Sequence, residues 1–98
     1  MEKLKEDLEY EITEPTMYNV IYHNDDFTPM DFVIFSLMTI FQKSEKEAYS
    51  LTMKVHNEGS AVIGTYNEDI AYLKQENVKN LEKTILGSEI LNVEVKEI

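Results

Sequence analysis

The chain contains no cysteine and no arginine, and only two prolines and three glycines. Without cysteine there is no disulfide, no thiolate metal site and no thiol nucleophile. Without a glycine-rich run there is no backbone cradle for phosphates. No stretch approaches the roughly 18 uninterrupted apolar residues of a membrane span. The opening Met1-Glu2-Lys3-Leu4-Lys5-Glu6-Asp7 lacks the apolar core of a secretory signal, so a cytoplasmic location is expected. Positive charge is the scarcest commodity: nine lysines stand against 19 acidic residues, for a net charge of −10. A nucleic-acid binder needs a basic face to displace counterions, and an anionic membrane attracts basic segments. Neither partner class is expected. A negative surplus suits a cationic ligand or a basic protein partner, and it also simply maintains solubility.

What is present fits one domain with one core, in 98 residues of which 43% are hydrophobic. Residues 1–16 are set apart. Glu2, Glu6, Asp7, Glu9, Glu11 and Glu14 outnumber Lys3 and Lys5 there, and the segment reads as a flexible acidic arm ended by Pro15. From Met17 to His23, Tyr18, Val20 and Tyr22 share one face of a strand. Thr28-Pro29-Met30-Asp31 reads as a helix start, with Thr28 as N-cap and Pro29 as first helical residue. The helix continues to about Phe41 and is apolar nearly all round, which predicts that it is largely buried.

Ser44 and Glu47 form a capping box for a second helix, which Gly59 stops. Ser60–Tyr66 is a short strand. Asn67 caps a third helix with Ile70, Leu73, Val78, Leu81 and Ile85 on its expected inner side, and Gly87 ends it. Leu91, Val93 and Val95 alternate with polar residues in a last strand. The order β-α-α-β-α-β predicts an α/β (α+β type) domain over residues 17–98: a small three-stranded antiparallel sheet packed on three helices.

Chemistry concentrates in Asn24-Asp25-Asp26-Phe27-Thr28-Pro29-Met30, answered by Val55-His56. Three short polar acceptors end an apolar strand, directly before an apolar helix. An ammonium group brings three donors and no acceptor. Asn24 offers an amide oxygen, Asp25 a carboxylate and neutral His56 a ring nitrogen. Met30 and Val33 from one helix, and Thr52 and Val55 from the next, offer an apolar wall. Such a site suits an α-ammonium beside a large apolar side chain, the start of a peptide. The plainer readings are a capped turn for the acidic run and a helix end for His56. Asp25, Asp26 and His56 match no recognised metal motif. No serine lies on a nucleophile turn.

The run Met17 to Val33, with Val55-His56 and Gly59, resembles ClpS, the bacterial N-end-rule adaptor family, and the likeness continues through Gly64, Tyr66, Ala71 and Lys74. The resemblance implies a non-catalytic adaptor with no cofactor and no metal. Its partners would be proteins beginning with Phe, Leu, Tyr or Trp, and the N-terminal domain of a ClpA- or ClpC-type unfoldase that feeds ClpP. It implies that Asn24, Asp25 and His56 hold the substrate α-amino group. Asp26, Thr28, Met30, Val33, Thr52, Val55 and Leu91 would surround the first side chain, with Thr52 standing where the family usually has methionine. Asp69 and Lys74 would match the unfoldase-docking surface, and the N-terminal arm would engage the unfoldase during delivery. A monomer is expected. The alternatives to this reading are an acidic interaction domain that ignores N-termini and a small metal-dependent enzyme.

Overall fold

The computed structural model describes residues 16–98, so the acidic arm expected over residues 1–16 lies, apart from Thr16, outside the described residues. The elements are β1 (Met17–His23), α1 (Met30–Ile40), α2 (Glu45–Glu58), β2 (Ser60–Asn67), α3 (Glu68–Leu86) and β3 (Asn92–Glu97). The expected β-α-α-β-α-β order and three-stranded antiparallel sheet are both present. The strand that comes first in sequence lies in the middle, in the order β2-β1-β3. Val20 and Tyr22, fully buried, point from it into the core with Ala61, Ile63 and Val93 from the flanking strands. His23 follows on the opposite face, where its Nε2 meets Glu94 Oε1 at 2.7 Å.

Local chemistry accounts for most helix ends. Ser44 Oγ accepts from the Glu47 N–H and Glu47 Oε1 from the Ser44 N–H, both at 3.1 Å, which completes the capping box of α2. Gly59 closes α2 at φ 91° and Gly87 closes α3 at φ 71°, a left-handed conformation that costs glycine little. Asn67 Oδ1 accepts from the Ile70 N–H at 3.0 Å to cap α3. Helix α1 ends without glycine: Gln42 takes φ 53°, and the Lys43 N–H returns to the Leu37 carbonyl at 3.1 Å.

Three expectations are corrected. Thr28 is not the N-cap of α1. That position falls to Pro29, whose carbonyl accepts from the Phe32 and Val33 N–H groups, because the Thr28 hydroxyl is drawn to Asp25 instead. Helix α1 is buried on one side only, less than expected. Phe32, Val33, Ser36, Leu37 and Ile40 face inward, whereas Phe35 and Met38 are exposed, since α2 and α3 cover only part of its circumference. The inner face of α3 is also turned from the expected one, which holds only at Val78 and, in part, at Leu81. Ala71, Val78 and Glu82 are buried, and Ile70, Leu73 and Ile85 are exposed. The glutamate belongs inside because Glu82 Oε2 accepts from the Ile90 and Leu91 N–H groups at 2.9 and 3.1 Å, tying α3 to the segment that leads into β3.

Candidate functional site

Strand β1 ends at His23, and the next three residues form one edge of a cavity of about 260 Å³. Asn24, Asp25, Asp26, Thr28, Met30, Val33, Thr52, Val55 and His56 line it. Nine of the residues singled out in the sequence thus come together from the β1–α1 turn, the start of α1 and the second half of α2. What joins the two halves is a backbone bond. The Asn24 N–H donates to the Gly59 carbonyl at 2.9 Å, which pins the end of β1 to the end of α2, three residues after His56.

Asp25 organises the turn. Its Oδ1 accepts from the Phe27 and Thr28 N–H groups at 2.7 and 2.6 Å, and its Oδ2 accepts from the Thr28 hydroxyl at 2.7 Å. Partial burial alone would raise its pKa. The Thr28 N–H, the Thr28 hydroxyl and the Phe27 N–H outweigh it and hold the carboxyl below its usual range. One lone-pair direction on Oδ2 remains open. Asp26 is exposed and makes no side-chain hydrogen bond to the described residues, so its carboxylate is wholly available at the rim. Asn24 and His56 are also exposed.

The wall opposite is apolar in effect even at its hydroxyl. Thr52 is buried, and its Oγ1 donates to the Ala48 carbonyl at 2.7 Å, so it offers no free donor to the cavity. Val33 and Val55 are buried beside it and Met30 stands partly exposed at the mouth. Val33 is held from behind by a relay that the sequence reading missed. Ser36 Oγ donates to the Val33 carbonyl at 2.8 Å, so the fully buried Tyr22 hydroxyl must donate to Ser36, also at 2.8 Å. Burial pushes the Tyr22 hydroxyl pKa above the ordinary tyrosine range. The signal for this pair was a serine inside an otherwise apolar helix.

Leu91 does not line the cavity. It is buried, its N–H donates to Glu82, and it borders a separate groove with Tyr72 and Gln75. Asp69 lies toward the far end of β1, because Asn67, two residues before it, pairs with Met17. At about 3.3 Å per residue that end is roughly 20 Å from the cavity. Asp69 is exposed beside Thr16 and Tyr18. Lys74 is engaged within the fold. Its Nζ donates to the Ile40 carbonyl at 2.7 Å, at the C-terminal end of α1, and sits 5.8 Å from the centroids of both Phe41 and Tyr66. Gly64 makes room for this cluster, since a Cβ there would stand 2.5 Å from the Tyr66 hydroxyl.

Chemically the cavity pairs acceptors with an apolar wall. It holds no fixed cation, and among the described residues no group of three or more His, Cys, Asp or Glu is placed to hold a metal ion. No helix among the described residues is long and apolar enough to cross a membrane.

Known proteins resemble this chain in sequence and fold. A family model described as ATP-dependent Clp protease adaptor protein ClpS matches residues 13–86. The Clp protease adapter protein ClpS of Helicobacter hepaticus is 47% identical over 72 residues, 74% of this chain and 73% of the relative. That of Shewanella halifaxensis is 39% identical over 83 residues, 85% of this chain and 81% of the relative. The solved structure of Agrobacterium tumefaciens ClpS2 bound to L-phenylalaninamide superposes with a TM-score of 0.80 at 33% identity, covering 87% of this chain and all (100%) of that one.

Proposed function

The chain belongs to the ClpS family of Clp protease adaptors, and from that premise we propose that it captures proteins by a free N-terminus bearing a bulky apolar first residue: Phe, Leu, Tyr or Trp. The observation that carries this reading is the meeting of an acceptor-rich edge and an apolar wall in one small cavity. A peptide's first residue is a cation and a side chain on one carbon, and the cavity offers a partner to each. Asn24, the open side of Asp25 and His56 receive the ammonium, while Asp26 borders the first side chain at the rim and adds its negative charge there. Met30, Val33, Thr52 and Val55 receive the side chain, with Thr28 shaping the turn between them. A partly desolvated ammonium needs several such partners, because an unpaired one is costly.

On this reading the protein binds and hands over its cargo without chemistry of its own. It works as a monomer in the cytoplasm, and its second partner is the N-terminal domain of a ClpA- or ClpC-type unfoldase. That partner docks around Asp69, at the end of the molecule away from the cavity. Lys74 supports the surface from within by holding Phe41, Tyr66 and the end of α1 together. The acidic segment 1–16 engages the unfoldase during delivery, and residues 17–98 form the adaptor domain.

The test is a titration with a fluorescent Phe-starting peptide and its N-acetylated twin. A strict need for the free amine supports the reading. Equal binding of the two peptides refutes it and points to an interaction domain that ignores N-termini.

A further inference from the structure

Phe27 is 76% exposed, more than any other large apolar residue among those described. Single exposed apolar residues are ordinary on protein surfaces. This one has two further properties. Its neighbours on both sides, Asp26 and Thr28, line the cavity, while Phe27 itself does not. Its ring therefore belongs to the outside of the mouth. Its backbone is also held on the spot, because Asp25 Oδ1 accepts from the N–H groups of Phe27 and Thr28 at 2.7 and 2.6 Å. The ring takes part in none of the aromatic pairs among the described residues. Neither the turn nor the core uses it.

A bound peptide supplies a use. In an extended chain successive side chains point to opposite sides, and consecutive Cα atoms are about 3.8 Å apart. When the first side chain enters the cavity, the second points back toward the mouth, within reach of a rim residue. We propose, on the basis of the N-terminus reading above, that Phe27 is a further specificity-determining residue, whose ring packs against the second side chain of the substrate and favours large apolar or aromatic residues there. Pre-fixing the loop lowers the ordering cost of that contact, since only the ring's two torsions remain to be set.

The experiment uses the full chain and peptides identical except at position 2: Phe-Gly, Phe-Leu and Phe-Trp, with the acetylated Phe-Gly peptide as control. Wild type is expected to bind Phe-Trp and Phe-Leu about 3- to 10-fold more tightly than Phe-Gly, the range of one aromatic contact. Phe27→Ala should erase that difference and leave Phe-Gly affinity within about twofold of wild type, the lower bound of such a contact. Phe27→Tyr should restore it. The proposal is overturned if wild type does not distinguish the three peptides, or if Phe27→Ala still does. It is equally overturned if Phe27→Ala weakens Phe-Gly as much as Phe-Trp, since the ring would then act through the turn. The Phe-Gly pair, free and acetylated, reports on the amine reading alone, so failure there is distinct from failure at position 2.

Discussion

Asp25 and Asp26 are neighbours with the same chemistry, yet substitution should separate them. Asp25 carries three hydrogen bonds from the turn, while Asp26 carries none from the described residues. Asp26→Asn therefore removes a charge from the cavity and nothing from the fold. A hydrogen bond to a charged group contributes about 1.5–3 kcal/mol, and the exposure of Asp26 places its loss at the lower end, about tenfold in affinity. Its melting temperature should match wild type.

Asp25→Ala removes three acceptor contacts at roughly 0.5–1.5 kcal/mol each. Water replaces part of this at a partly exposed turn, which leaves a cost of about 1–2 kcal/mol. For a domain of this size that lowers Tm by about 4–16 °C. Peptide binding should fall further than in Asp26→Asn, because both the charge and the shape of the edge are lost. Asp25→Asn keeps an oxygen for the two N–H groups and should sit between wild type and Asp25→Ala in both respects.

The comparison also has a pH signature. The folded-state pKa of Asp25 lies below its unfolded value, which is about 3.9. Its contribution is therefore complete above that value and is lost as pH falls through the folded-state pKa. The Tm gap between wild type and Asp25→Asn should stay constant from pH 8 to 5 and close below about pH 4. Circular-dichroism melts and fluorescence anisotropy with a Phe-starting peptide decide the matter. An Asp25→Ala variant that melts like wild type refutes the turn argument. An Asp26→Asn variant with undiminished affinity refutes the counter-charge argument.

Three further outcomes are expected. His56→Ala should weaken peptide binding and leave the melting temperature near that of wild type, because it removes an exposed acceptor from the edge of the cavity; undiminished affinity would exclude that role. Ser36→Ala should cost about 1–3 kcal/mol in denaturant unfolding by leaving the buried Tyr22 hydroxyl without an acceptor, and adding Tyr22→Phe should recover much of the loss; a double variant no better than the single one would refute the relay. Asp69→Lys should weaken unfoldase binding at constant peptide affinity, whereas Lys74→Glu should also lower the melting temperature, because it places a negative charge at the end of α1; equal loss of peptide affinity in Asp69→Lys would mean that the two surfaces are not separate.

Much of this protein could be read in the chain because the forces involved are short-range. Ser44 and Glu47, Asn67 and the Ile70 N–H, and Gly59 and Gly87 with the helices they end all act within a few residues, so their spacing alone locates four helix boundaries and the element order. The acidic turn before α1 is equally local, and its match to a known family, with Val55-His56 and Gly59, named every residue that lines the cavity, and one more, Leu91, that lies outside it. Even there, one local choice went the other way. Thr28 lay within reach of two partners, the first turn of α1 and the Asp25 carboxylate, and the charged acceptor won.

Contacts across the chain were decided only by folding. The Asn24–Gly59 bond that brings His56 to the acidic edge spans 35 positions in sequence, and the contact of Lys74 with Ile40 spans 34. No periodicity encodes either. The turned face of α3 has the same origin. An apolar pattern favoured Ile70, Leu73 and Ile85, yet Glu82 is inside, because two backbone N–H groups before β3 had to find acceptors once the sheet had formed. Once the tertiary structure removes the water, the Leu91 N–H and the Glu82 carboxylate would each be costly without the other, and pairing them satisfies both.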